Sequence, residues 1–305
     1  MNSPGEIPEP FDRLFGELRP KLHRYCARMT GSVVDGEDVV QEALAKAFEA
    51  LAGTAPIANP EGWLFRIAHN AALDFLRRRA REKTFSEEEP DMIADPANSI
   101  ADRQAAAAGL HSFMRLPVAQ RSSVIMMDVL GYSLREISTM LDTSIPAIKA
   151  ALHRGRGRLR ELADEQDDRP VPRLSASERL LLDAYVDRFN ARDFDAVRDM
   201  LADEVRLELV ARARLNGRKE VATYFGNYSR VRDWHFQSGF VEDRPAILVR
   251  DPNDPTAAPA YFILLGWQGG KLAAIRDFRH ARYVADGAET FVLETIARRV
   301  TNRKA

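Results

Sequence analysis

Between Ala147 and Arg160 the chain carries five Lys or Arg (Lys149, Arg154, Arg156, Arg158, Arg160), with His153 among them and no acid. Cations strung along one element attract phosphates first, and those that reach a groove floor can read guanine edges. Just upstream, Ser133-Leu-Arg-Glu136 is a capping box: the serine accepts from the third amide while the glutamate reaches back to the first. Leu134, Ile137 and Leu141 then share one face of a short helix, and Asp142-Thr143-Ser144 make a turn. Pro146 sits where a first helical turn tolerates a missing N–H, and Ile145, Ile148, Ala151 and Leu152 stripe the next helix. Two short helices joined by a three-residue turn, the second cationic, are what a helix-turn-helix needs to enter a major groove. A solvated basic face on a core helix would show the same charges. Caps, turn and charge agree on DNA contact.

A second constellation lies nearer the N-terminus. Pro60–Arg81 has apolar Trp63, Ile67, Leu73 and Leu76 at helical spacing, polar His69, Asn70 and Asp74, and a basic end at Arg77, Arg78, Arg79 and Arg81. Aromatic, amide and guanidinium groups hold single-stranded DNA by stacking and phosphate contact. Against that, a Trp in an amphipathic helix is commonly core, and cations at a helix C-terminus also suit its dipole. The preceding stretch, Asp35–Leu51, sets Val39, Val40, Ala43, Leu44, Ala47 and Phe48 on one side and Asp38, Gln41, Glu42 and Glu49 elsewhere. Phe11–Met29 reads as a further amphipathic helix.

These helices need a frame, and composition bounds it. The chain has 305 residues, 45% hydrophobic and 29% charged, which suits two domains or three small ones and excludes collagen-like, wholly disordered and disulfide-scaffold classes. Lys+Arg number 44 against 45 Asp+Glu, so any nucleic-acid surface is local. Cys26 is the single cysteine, which forbids an internal disulfide or a thiolate metal cluster. Met1–Pro10 lacks the pattern of a signal peptide, and the longest apolar stretch, around Ala257–Trp267, is broken by Pro259. A cytoplasmic protein with no membrane contact, no metal and no cofactor is expected. Acidic, Pro-containing stretches at Thr84–Asn98 and Asp164–Arg173 read as linkers.

The two helical segments resemble a known family. Residues Phe11–Lys83, through GEDVVQEALAKAFEAL and NPEGWLFRIAHNAALDFLRRRAR, look like region 2 of RNA polymerase sigma factors of the extracytoplasmic-function group. Residues Leu116–Leu162, through LPVAQRSSVIMMDVLGYSLREISTMLDTSIPAIKAALHRGRGRLREL, look like region 4 of that group. The resemblance implies core RNA polymerase (its β′ clamp helices and β flap) and promoter DNA as partners. It places Asp38, Gln41 and Glu42 against the clamp helices. It places Trp63, Asn70, Asp74, Arg77 and Arg78 at the minus-ten element, with the loop Ala52–Asn59 completing a base pocket. Lys149, His153 and Arg154 face the minus-thirty-five element, with Ser144 and Arg156 in the same interface.

Beyond Leu174 the pattern changes. Helices are expected from Ser175, at Phe194–Leu201 and at Lys219–Tyr228, with strands at Val205–Val210, Trp234–Val241, Ala246–Arg250, Ala260–Trp267 and Lys271–Phe278. Gln268-Gly269-Gly270-Lys271 reads as a two-residue hairpin, and its register pairs Leu264 with Ile275 and Phe262 with Asp277. Asp277 is then either an acid or base of raised pKa in a pocket or a sheet-edge carboxylate paired with Arg279 or Arg276; the second is favoured. ARDFDAVRDMLADEVRLEL followed by NGRKEVATYF resembles the SnoaL-like family of cone-shaped α+β domains, some of them polyketide cyclases. That resemblance implies a pocket, for which Tyr185, Trp234 and Asp277 are candidate lining, and a small-molecule or protein regulator as a further partner.

The expected organisation is two all-α domains, the second with a helix-turn-helix, followed by an α+β domain. Region 2 covers 11–84, an acidic linker 85–105, region 4 106–163, a second linker 164–174, the SnoaL-like domain 175–288 and a basic tail 289–305. An alternative sigma factor regulated by its own C-terminal domain, without enzymatic activity, is the leading expectation. A SnoaL-like cyclase or isomerase tethered to a DNA-binding arm, or a conventional helix-turn-helix regulator, are the alternatives.

Overall fold

The computed structural model describes residues 9–51, 57–83, 109–163, 165, 172–254 and 256–293, which fall into two compact units, Met1–Arg169 and Pro170–Ala305. The first expected linker, most of the second, nearly all of the C-terminal tail and the start of the Ala52–Asn59 loop lie outside the described residues.

In the first unit, α1 (Glu9–Thr30), α2 (Val33–Leu51) and α3 (Pro60–Lys83) form one layer of helices. Each turn between them is set by a side-chain cap. Ser32 Oγ accepts from the Asp35 amide at 3.1 Å to begin α2, and Asn59 Oδ1 accepts from the Gly62 amide at 2.9 Å to begin α3. Gly36 lets α2 close on α1, because a Cβ there would stand 2.5 Å from the Ala27 nitrogen. The chain continues through α4 (Leu110–Met114), α5 (Val118–Val124), a π-turn (Ile125–Val129), α6 (Leu134–Leu141) and α7 (Ile145–Ala163). Both halves share a single core. Leu22, Tyr25, Val40, Leu64 and Phe65 belong to the same buried cluster as Phe113, Ile125, Ile137, Ile148 and Leu159. The two expected helical modules thus pack as one body.

The second unit holds α8 (Ala176–Asn190), α9 (Phe194–Asp199), β1 (Leu201–Leu209), β2 (Ala213–Asn216), α10 (Arg218–Ser229), β3 (His235–Val241), β4 (Arg244–Arg250), β5 (Tyr261–Gln268), β6 (Lys271–Asp277), a 3₁₀ turn (Arg282–Gly287) and β7 (Thr290–Val292). The seven strands make one sheet in the order β2-β1-β6-β5-β4-β3-β7. Every described pair is antiparallel except β1 with β6. Helices α8 and α10 bury Tyr185, Phe189, Tyr224 and Tyr228, and Phe189 stacks on Phe236 of β3 at 4.2 Å. The α+β expectation holds, and β2 and β7 are strands the sequence pattern did not announce.

One register differs from expectation. Gly269 and Gly270 take φ of +57° and +75°, as the two-residue turn demands, and Gln268 pairs with Lys271. A bulge between Gly266 and Trp267 then inserts one residue on β6, so Leu265, not Leu264, opposes Ile275, and Ile263, not Phe262, opposes Asp277. Nor is Asp277 at an edge: β6 lies between β1 and β5, and Asp277 is fully buried.

Candidate nucleic-acid interface

The helix-turn-helix forms as its caps direct. Ser133 Oγ accepts from the Glu136 amide at 3.3 Å while the Ser133 amide donates to Glu136 Oε2 at 2.8 Å. Hydrogen bonds from Ser133 hold the Glu136 carboxyl below the usual range. Asp142 ends α6 in the left-handed region, φ +50°, a conformation that Asp tolerates better than most residues. Ser144 Oγ accepts from the Ala147 amide at 3.3 Å and opens α7.

On α7, Lys149 and Arg154 are exposed and form no ion pair among the described residues. Ser144 is also exposed, and His153 is half-buried with its Nε2 lacking a partner among the described residues. Arg156 is engaged elsewhere. Its Nε donates to Asp128 Oδ2 at 2.9 Å and its Nη2 to Oδ1, a fork on a carboxylate whose side chain is 1% exposed. That geometry pins α7 to the π-turn. Arg158 is occupied by Glu161 at 2.8 Å.

On α3, Asn70, Arg77 and Arg78 are exposed, whereas Phe65 is core and Trp63 half-buried against it. Asp74 accepts from Arg77 at 3.2 Å and lies 3.8 Å from Lys46. Glu42 of α2 accepts from Arg78 at 2.9 Å and from Lys46 at 2.7 Å. Partial burial works against the charge of Glu42, but those hydrogen bonds prevail and hold its carboxyl below the usual range. Residues expected to serve polymerase (Glu42) and DNA (Asp74, Arg77, Arg78) therefore form one continuous charged surface. Asp38 is exposed and Gln41 half-buried on the same helix as Glu42.

The two helical modules also lock onto each other. Tyr132, which precedes α6, donates to Glu61 of α3, and its ring lies 5.2 Å from Phe65. Lys21 of α1 reaches the same Glu61 at 2.7 Å and stands 4.1 Å over the Tyr132 ring. Arg66 donates to the Thr139 carbonyl at 2.7 Å. Buried Arg121 donates to the carbonyls of Met29 at 2.7 Å, Met114 at 3.0 Å and Leu116 at 2.9 Å. Nothing in the sequence pattern announced this junction.

In the second unit Tyr185, Trp234 and Asp277 do come together. The Phe189 ring touches Tyr185 at 5.5 Å, Trp234 at 5.1 Å and Tyr228 at 5.2 Å, and the Tyr228 hydroxyl donates to Asp277 at 2.8 Å. Tyr224 donates to the same oxygen at 2.8 Å, and the Arg279 amide to the other at 2.8 Å. Burial raises the Asp277 pKa against these donors. The partners of the carboxylate are thus tyrosines and a backbone amide; the Arg279 side chain goes to Tyr261 at 2.8 Å and to Asp233 at 2.8 Å. Tyr224 and Tyr228 escaped the sequence reading, although their i, i+4 spacing on an amphipathic helix was visible. The Tyr185 hydroxyl and the Trp234 indole N–H are buried without a partner among the described residues. Among the described residues no His, Cys, Asp or Glu cluster suits a metal ion, and no helix is long and apolar enough to cross a membrane.

Comparison with known proteins matches the Sigma-70 region 2 family over residues 14–82 and the Sigma-70, region 4 family over residues 111–159. The chain is similar to the ECF RNA polymerase sigma factor SigG of Mycobacterium tuberculosis (strain ATCC 25618 / H37Rv), 30% identical over 234 residues that cover 66% of this chain and 63% of that protein. It is 33% identical over 152 residues to SigM of the same strain, covering 50% of this chain and 76% of SigM. The chain therefore spans less than two thirds of SigG. A SnoaL-like protein of unknown function from Burkholderia thailandensis E264 aligns with 34% of this chain and 96% of its own, at 19% identity and a TM-score of 0.28.

Proposed function

The chain belongs to the extracytoplasmic-function RNA polymerase sigma factors, and we propose that it directs core polymerase to promoters in the cytoplasm and starts transcription there. The observation that carries this reading is collinearity: a capped helix-turn-helix with exposed Lys149 and Arg154 follows, in one chain, a helix pair whose charged surface joins Glu42 to Asp74, Arg77 and Arg78.

In this reading Asp38, Gln41 and Glu42 meet the β′ clamp helices, and the region 4 unit meets the β flap. Asn70 takes the flipped minus-ten base, and Arg77 and Arg78 hold the adjacent phosphates. Unstacking a base costs a few kcal/mol, so a preformed receptor helps melt DNA without ATP. Lys149, His153 and Arg154 face the minus-thirty-five element, with Ser144 at the helix start. Arg156 serves that interface indirectly, by fixing α7 through Asp128.

The locked unit cannot read both elements at once. Elements about 25 bp apart are separated by ~85 Å at ~3.4 Å per pair. A compact body of 169 residues has a radius of gyration of ~15 Å, about 40 Å across. Residues 84–108 reach ~85 Å at ~3.4 Å each when extended. Initiation therefore requires the Tyr132–Glu61 junction to open.

The second unit regulates without catalysis in this proposal. Every described partner of Asp277 donates to it, so the carboxylate works as a clasp on α10. Tyr185 and Trp234 mark where a small molecule or a protein regulator would be sensed. Run-off transcription with purified core polymerase tests the whole. Promoter-specific transcripts dependent on this chain are expected, and their absence, with or without residues 175–305, overturns the proposal.

A further inference from the structure

Three arginine-bearing segments meet at one end of the second unit: Arg212-Ala-Arg214, Arg230-Val-Arg232 and Arg279-His-Ala-Arg282. The parallel pairing of β1 and β6 brings the first and third together, since Leu209 opposes Asp277 and the Val210 amide donates to the Asp277 carbonyl at 3.0 Å. The second joins the third through Asp233, both of whose oxygens are held by Arg279 at 3.0 and 2.8 Å. The guanidinium groups of Arg279 and Arg282 lie 5.6 and 5.5 Å from the centre of the Tyr261 ring.

Arg212, Arg230, Arg232 and Arg282 are exposed and form no ion pair among the described residues. Asp233 is paired with Arg279, whereas Asp251 and Asp254 accept from the neutral Asn253 and Thr256 and form no ion pair among the described residues. His280 sits in this field; burial and then the charges of Arg212, Arg279 and Arg282 lower its pKa. Like charges gathered without direct ion pairs repel one another, and a polyanion relieves that repulsion.

We propose that this rim grips the phosphate backbone of promoter duplex, so that the C-terminal unit adds sequence-independent DNA contacts to those of regions 2 and 4. Guanidinium groups spread over three separate segments match a repeating phosphate chain, whose contacts carry no sequence information. The inference rests on the chain working at promoters.

The test is fluorescence anisotropy of the full chain on a labelled random duplex of about 30 bp, from about 20 to 150 mM salt. The Arg212→Ala/Arg232→Ala/Arg282→Ala variant is expected to bind about tenfold more weakly. Its slope of log affinity against log salt should be flatter by about two to three, close to one for each phosphate left without its arginine. The matching Arg→Lys variant should keep the slope, and near-UV circular dichroism should show both variants folded. Wild-type affinity and slope in the alanine variant overturn the proposal, as does a loss confined to an acidic polypeptide such as polyglutamate. If run-off transcription proceeds while the rim variant binds normally, only this surface falls. If run-off fails but the rim effect persists, the promoter role falls and the backbone contact stands.

Discussion

The hydroxyl of Tyr132, at the threshold of the helix-turn-helix, is bonded to the carboxylate of Glu61 in the first turn of α3. Lys21 closes the cluster from α1, and partial burial of Glu61 is outweighed by the Lys21 and Tyr132 hydrogen bonds, which hold its carboxyl below the usual range. One aromatic residue of region 4 thus joins α3 to the first helix of region 2.

Removing that ring should loosen the closed form. Truncating a buried aromatic costs about 3–5 kcal/mol of packing, and here the packing spans the two modules, so Tyr132→Ala shifts the balance toward the parted state. Dyes at exposed positions 49 and 161 report it: energy transfer is expected to be high in the wild type, to fall when core polymerase is added, and to be low already in Tyr132→Ala. Equal transfer in all three would show that the junction does not open.

Neighbouring arginines on α7 should separate cleanly. Arg156→Ala removes both guanidinium hydrogen bonds from Asp128, a carboxylate with a 1% exposed side chain, and breaking a buried pair costs about 3–5 kcal/mol. Arg154→Ala removes an exposed cation and should change stability by about 0.5 kcal/mol or less. Urea unfolding should rank them so, while promoter binding by the holoenzyme should weaken for Arg154→Ala, by about 1–3 kcal/mol if its guanidinium reads a base.

Acid should weaken the first unit through its buried imidazoles. Burial lowers the His69 pKa to about 4, and its Nδ1 shares a hydrogen bond with the Tyr25 hydroxyl at 2.7 Å. His23 is likewise lowered by burial, partly offset by donation to the Val33 carbonyl. The unfolded chain binds a proton near pH 6.5 while folded His69 resists it until about pH 4. Stability is therefore full above pH 6.5 and falls as pH drops through that window, by up to about 3 kcal/mol for this group. Unfolding curves at pH 7 and 4.5 should show the loss, and His69→Gln, which keeps a hydrogen-bonding group for Tyr25 but does not titrate, should lessen it.

Asp38 is exposed on α2. Asp38→Arg should leave helicity unchanged yet weaken association with core polymerase about tenfold or more, since a reversed charge at a complementary interface is repulsive. Anisotropy titration with labelled protein measures it. An unchanged affinity would place the clamp contact elsewhere on the helix.

The helical half was legible because its signals are local. The Ser133–Glu136 box, the Asp142–Ser144 turn and the apolar stripes each lie within a few residues, and the helices form where those signals put them. The charged face of α2 and α3 could be assigned only in pieces. That Glu42 binds Arg78 follows from helix packing across 36 residues, which no pattern announces. Arg156 looked like its neighbours because charge alone does not reveal that Asp128 is buried beneath it. The register at Asp277 was missed for a similar reason: the turn was read correctly, and one bulged residue beyond it moved every later partner by one.

Arg121 has a mechanical consequence of its own. Two of the carbonyls it serves, Met114 and Leu116, belong to region 4, while Met29 lies in the last turn of the first helix of region 2. If the halves part as proposed, the Met29 carbonyl at the tail of that first helix trades a charged donor for water, and any surface that then covers it dry has to offer a donor in return.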